Sequence, residues 1–169
     1  MANITGIQWT DATINFWTGC KKVSDGCKFC YMYRGKERWG QDPTNVMQVK
    51  QSTIMNTLNK LTEPSKIFTC SWSDFFIKEA DQWRDWAWKI IKDNPQHQWQ
   101  ILTKRPERIK KCLPKDWGEG YPNVWLGVTV ENNKNKSLQR IWELCHIPAR
   151  VRFISCEPLL GKVYLDMDA

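Results

Sequence analysis

The residues best equipped for chemistry are three cysteines within eleven positions, Cys20, Cys27 and Cys30, spaced C-x6-C-x2-C. Gly19 precedes the first and Gly26 the second. Such glycines supply the tight or positive-φ turns with which a loop wraps around a bound group. Three thiolates converging from one loop are what a metal ion or an iron–sulfur cluster requires. For zinc, they need a fourth donor to close a structural site. His97 and His146 are the only histidines, and both lie far from the loop in sequence. Cys70, at the end of a predicted neighbouring strand, is the stronger fourth candidate. For a cluster, three cysteines leave one iron open, which is useful only where a small molecule binds it.

The elements that position these thiols are legible from apolar periodicity. A strand is predicted over residues 13–17, running into the cysteine loop, and others over 66–70, 99–103, 124–130 and 151–155. Helical patterns fall between them. A short helix is expected over 32–39, ended by Gly40. Ile54, Met55, Leu58 and Leu61 mark an amphipathic helix over 50–61. Trp83, Trp86, Ala87, Ile90 and Ile91 make one helix face, and Leu138, Ile141, Trp142 and Cys145 another. Pro106 suits the first turn of a helix through about Cys112. Strands alternating with helices predict parallel βα units, hence an α/β fold. Five strands cannot close a (β/α)8 barrel, so the expectation is an open, partial (β/α) TIM-type barrel of five or six parallel strands, one domain over 1–169.

Each predicted strand runs into a polar loop. Beyond the cysteines, these loops carry Ser71, Ser73 and Asp74, then Lys104 and Arg105, then Glu131 and Asn132, then Glu157. Parallel α/β architectures bind ligands beyond the carboxyl ends of their strands, so these loops predict one shared site.

The net charge of +7 suits an anionic partner such as nucleic acid or a nucleotide, although no Arg/Lys run is dense enough to mark a groove. Most of the eleven tryptophans fall in strand and helix patterns and belong to the core, leaving one or two as stacking platforms. No run of about 18 apolar residues exists, so no membrane span is expected. Met1 to Thr5 lack the basic-then-apolar pattern of an export signal. An odd cysteine count of seven with a tight cluster then reads as reduced thiols and a metal centre in the cytoplasm, not a disulfide framework.

The motif, its context and the βα order together resemble the radical S-adenosylmethionine (radical SAM) superfamily, which places three cysteines after its first strand with an aromatic before the last. Phe29-Cys30 and the C-x2-C of Cys27 and Cys30 match; the first gap is six residues where the usual motif has three. The chain is similar, over most of its length, to phage-associated three-cysteine-motif proteins of unassigned function, distantly like the spore photoproduct lyase branch. The matching segments include Gly26 to Tyr31, Ser73 to Phe76, Leu102 to Pro106, Trp125 to Asn132 and Glu157 to Gly161. Relatives usually continue into a further strand, so a C-terminally shortened form is expected.

This resemblance implies a 4Fe–4S cluster on Cys20, Cys27 and Cys30, with S-adenosylmethionine chelated at the open iron and cleaved reductively to a 5′-deoxyadenosyl radical. It further implies that Lys104 or Arg105 pairs with the methionyl carboxylate. Glu131 or Glu157 would accept from the ammonium or the ribose hydroxyls, with Ser71 and Asp74 in the same shell. An electron donor, a nucleic-acid or nucleotide substrate and a phage or prophage gene in a bacterial host complete this picture. Two other readings stand beside it. One is a zinc-stabilised nucleic-acid-binding module. The other is an inactive phage accessory protein with a partial barrel, working with a partner protein.

Overall fold

The computed structural model describes residues 5–165. The expectation about an export signal falls largely on residues 1–4, outside that span. Among the described residues seven strands are formed: β1 (Ala12–Ile14), β2 (Trp17–Thr18), β3 (Met47–Gln48), β4 (Lys66–Thr69), β5 (Gln98–Thr103), β6 (Val124–Thr129) and β7 (Val151–Ser155). Within the same described residues five α-helices are interleaved: α1 (Tyr31–Arg38), α2 (Gln51–Leu58), α3 (Arg84–Asp93), α4 (Ile109–Cys112) and α5 (Asn135–Cys145). Strands β1, β4, β5, β6 and β7 lie side by side in that order, and every pair is parallel. Among the described residues, no helix is long and apolar enough to cross a membrane.

The helix-facing side of the central strands is buried by the crossovers. Ile67, Trp99, Ile101, Val124, Leu126 and Val128 are all fully buried. The helix-side core is aromatic: Phe16 stacks on Trp99 with ring centroids 6.0 Å apart, and Phe75 meets Trp88 edge-on at 4.9 Å. Helix α3 buries Ala87, Ile90 and Ile91 of the predicted stripe, but Trp88 takes the buried place expected of Trp86, and Trp83 and Trp86 are only half-buried. It begins at Arg84 because a 3-10 segment, Lys78–Trp83, precedes it. The Arg84 guanidinium fastens that junction by donating to the carbonyls of Phe75 (3.2 Å) and Ile77 (2.7 Å).

Each strand of the sheet sits beside the next one in sequence, so the order never reverses. Crossovers are right-handed, so an order that never reverses sends every helix to the same face. The other face is lined by side chains alone. There Trp9 lies 4.8 Å from Phe68 on β4 and 6.5 Å from Phe153 on β7, measured between ring centroids. In a flat sheet, strands three places apart are separated by ~14 Å. One indole thus reaches rings from two strands that are not neighbours. Phe153 leans across this face because its register partner is Gly127, where a Cβ would fall 2.4 Å from the ring.

The strand predicted over 13–17 is in fact two short pieces. At Asn15 the side chain leaves the ladder direction and binds the loop after β4, accepting from Trp72 N–H (2.7 Å) and donating to Ser71 Oγ (3.2 Å). Trp17 and Thr18 then pair antiparallel with Gln48 and Met47 in a separate two-stranded ribbon that periodicity did not reveal.

Candidate functional site

The cysteine loop leaves β2 through Gly19, whose φ is +90° and whose missing Cβ would sit 2.1 Å from the Asn45 carbonyl oxygen. Only glycine meets both constraints. Its N–H donates to the Trp72 carbonyl (3.0 Å), and its own carbonyl accepts from Ser73 Oγ (2.5 Å). Cys20 is pinned on both sides of its backbone, donating to the Pro43 carbonyl (2.9 Å) and accepting from the Tyr33 hydroxyl (2.6 Å). A 3-10 turn, Asp25–Phe29, carries Cys27, and Cys30 stands at the N-cap of α1. The Cys27 sulfur accepts from Val23 N–H at 3.5 Å.

All three cysteines line one cavity of about 400 Å³ at the carboxyl ends of the sheet strands. Ser71, Asp74, Lys104, Arg105 and Glu157 line the same cavity, whereas Glu131 and Asn132 do not. Trp9 and Phe68 form part of its apolar wall. Cys70 also borders it, but is only 2% exposed, and burial pushes its thiol up to about 12. His97 lies elsewhere, at the entry to β5, where its Nδ1 accepts from Ser65 N–H (3.3 Å), and His146 caps α5.

Among the described residues, no three His, Cys, Asp or Glu side chains gather around one point that a single metal ion could occupy. The thiols share a cavity without meeting at its centre. A cluster takes each thiolate on a different iron, so a soft, three-thiol donor set opening on a common space suits it.

Asp74 organises the polar wall. Its Oδ1 accepts from Phe76 N–H (2.9 Å) and Thr103 Oγ1 (2.7 Å), and its Oδ2 from Lys104 N–H (3.0 Å) and the Arg105 guanidinium (3.0 Å). Arg105 continues to the cysteine loop, donating to the Lys21 carbonyl (2.6 Å) and approaching the Cys20 sulfur (3.7 Å). Burial and the Asp74 carboxylate push the Cys20 thiol up to about 12, against the opposing pull of Arg105.

Glu131 stands behind the cavity wall, 1% exposed. Its Oε1 accepts from Ser24 Oγ (2.7 Å) and Lys104 Nζ (3.0 Å), and Arg140 lies 3.8 Å from its Oε2. Burial works against the charged form. The hydrogen bonds from Ser24 and Lys104 and the charges of Lys104 and Arg140 more than offset it, leaving the carboxyl below its usual range. This carboxylate is therefore engaged with the protein, while Glu157, at the mouth, is exposed.

Sequence reasoning overlooked Ser24, Tyr31 and Trp9 as parts of the site. Tyr31 donates to the Ser71 carbonyl at 2.5 Å, joining α1 to the loop after β4. Ser24 and Tyr31 lie inside the motif itself and carry no periodic signal of their own. Neither a curated protein nor a solved structure matches the chain. Residues 4–169 match a family described as "Protein of unknown function (DUF5131)", and with nearly its whole length covered the chain belongs to that family.

Proposed function

We propose that this protein is a radical SAM-type iron–sulfur enzyme whose Cys20, Cys27 and Cys30 hold a 4Fe–4S cluster. The observation that carries this reading is that three thiols from one loop open onto one cavity at the carboxyl end of a parallel sheet, facing Lys104, Arg105 and Glu157. The singly wound strand order and the meeting of Phe68 and Phe153 on Trp9 support a partial (β/α) barrel of the radical SAM kind. When bound, such a cluster would supply an electron for reductive cleavage of S-adenosylmethionine, drawn from a separate electron donor.

The chain's own residues bind and orient. Lys104 gives one of its three donors to Glu131 and keeps others for an anionic group such as the methionyl carboxylate. Arg105 is held by Asp74, so its part is to fix the cysteine loop through the Lys21 carbonyl. Glu157 is the carboxylate free to accept from an ammonium or hydroxyls at the mouth. Trp9 and Phe68 keep the inner end of the cavity apolar and dry. The charge of +7 supports a nucleic-acid or nucleotide substrate. Seven free cysteines support a reducing cytoplasm, and the motif's resemblance supports a phage or prophage gene in a bacterial host.

The test is anaerobic reconstitution with iron and sulfide. The expected product is a brown protein with a charge-transfer absorption, about four irons per chain, and cleavage of S-adenosylmethionine under a low-potential reductant. A colourless chain retaining neither iron nor sulfide would defeat the proposal.

One observation favours a second reading: Cys70 borders the same cavity, and a four-thiolate zinc site would need it and the three loop thiols to draw together from where they stand. Cys70→Ala decides between them. It abolishes zinc binding at a four-cysteine site and leaves a three-cysteine cluster in place.

A further inference from the structure

Three of the exposed aromatic residues lie on the cysteine loop and the helix that follows it. Phe29 is 61% exposed, Tyr31 49% and Trp39 75%. A fourth ring joins them from across the site. Gly35, in the middle of α1, leaves room for the Trp72 indole, whose benzo edge comes within 2.9 Å of where a Cβ would be. A glycine inside a helix costs about 1 kcal/mol relative to alanine. Here it lets the half-buried Trp72 indole bring its benzo edge against α1.

The same segment is basic. Residues 21–39 hold six lysines and arginines against two acids. One acid, Asp25, is paired with Lys134 (3.1 Å). Lys21 is spent on Glu79, and Lys22 lies over the Tyr33 ring at 4.5 Å. Lys28, Arg34 and Arg38 are exposed, and among the described residues none of them makes an ion pair. On the helix, Arg38 projects close to the direction of Tyr31, with Arg34 beside it. Cations without partners therefore alternate with rings whose faces reach solvent. Phe29 and Tyr31 also line the cysteine cavity, so this surface leads into the site.

We infer that the outer face of the cysteine loop and α1 is a binding platform for a single-stranded polynucleotide. Phe29, Tyr31, Trp72 and Trp39 offer stacking surfaces to unpaired bases, and Lys28, Arg34 and Arg38 track the phosphates. A single strand fits because stacking needs bare base faces, which a duplex hides inside its own stack. From Tyr31 to Trp39 the helix rises about 12 Å, the length of a few nucleotides at about 3.4 Å stacked spacing. The inference deepens the functional reading above, since a strand laid on this platform is led to the cavity mouth.

The test is fluorescence-anisotropy titration of the full chain with labelled single-stranded dT and U oligomers and with a duplex of equal length, over a range of salt. Both single strands are expected to bind more tightly than the duplex; a preference between dT and U identifies the natural strand as DNA or RNA. Trp39→Ala should weaken binding at least about fivefold through lost stacking. Arg38→Ala should make the log–log salt slope shallower by about 0.7. Both positions are exposed, and an unchanged melting curve shows that the variants fold. Duplex binding equal to single-strand binding, or Trp39→Ala binding like the parent, overturns the platform. Iron content is measured on the same preparations. Loss of strand binding with cluster assembly intact overturns the platform alone, and failed assembly with strand binding intact overturns the cluster alone.

Discussion

Ser24 and Glu131, separated by 107 positions in sequence, are joined by a 2.7 Å hydrogen bond that clasps the cysteine loop to the far side of the sheet. The clasp is tight because Gly26 has no side chain. A Cβ there would fall 2.3 Å from Glu131 Oε1 and 2.9 Å from Pro158 Cγ. Gly26→Ala is therefore expected to cost about 1–3 kcal/mol by overpacking and to lower iron retention after reconstitution. Urea denaturation and iron analysis of the same sample check both.

Removing the carboxylate has a larger effect. Glu131→Ala leaves Lys104, 19% exposed, and Arg140, 4% exposed, without their anion. Breaking a buried pair costs about 3–5 kcal/mol, and the partial exposure of Lys104 puts the expectation at the lower end of that range. Buried Arg140 Nη2 already lacks a hydrogen-bond partner. Glu131→Gln keeps the hydrogen bonds of Ser24 and should cost less, so a ranking of Ala worse than Gln is the measured outcome.

The same residue predicts a pH dependence. Its folded carboxyl titrates below the ordinary value of 4.5, so the folded state holds the charged form more strongly than the unfolded chain does. The resulting stability is fully present above pH 4.5 and is lost as pH falls through the lower folded value. Denaturation midpoints measured downward from neutral pH should decline below pH 4.5 in the parent, and less steeply in Glu131→Gln.

Arg105 links Asp74 to the loop, so Arg105→Ala leaves a buried carboxylate and an undonated Lys21 carbonyl. The expectation is a loss of about 3–5 kcal/mol. Arg105→Lys restores the charge but not the fork of donors, and should recover only part of the stability. Thermal melts of the three proteins give the order.

The cysteines themselves sort by place. Alanine at Cys20, Cys27 or Cys30 should each abolish cluster assembly. Alanine at exposed Cys145, or at Cys112 beneath α3, where its carbonyl accepts from Trp88 Nε1 (2.8 Å), should leave iron binding unchanged. Iron-to-protein ratios after reconstitution settle each case.

Much of this arrangement was legible in the residues because it rests on local patterning. Ala87, Ile90 and Ile91 on α3 and the apolar runs of β4 to β7 carry their own periodicity. The convergence of the loops on one rim follows from parallel strands alone. What escaped depended on partners distant in sequence. Asn15 ends β1 by binding the Ser71-Trp72 turn, which no local window contains. Glu131 looks like any rim carboxylate until Ser24 and Lys104 arrive to occupy it. The β2–β3 ribbon is only two residues deep on each side, too short for alternation to register.

The fastenings of the cysteine loop come from Pro43, Trp72, Ser73, Arg105 and Glu131, whose segments are made progressively later in the chain. A ribosome must deliver most of the polypeptide before the three sulfurs can take their stations. On the proposed function, cluster capture would wait for these fastenings and be withheld from any nascent or clipped chain that stops short of β6.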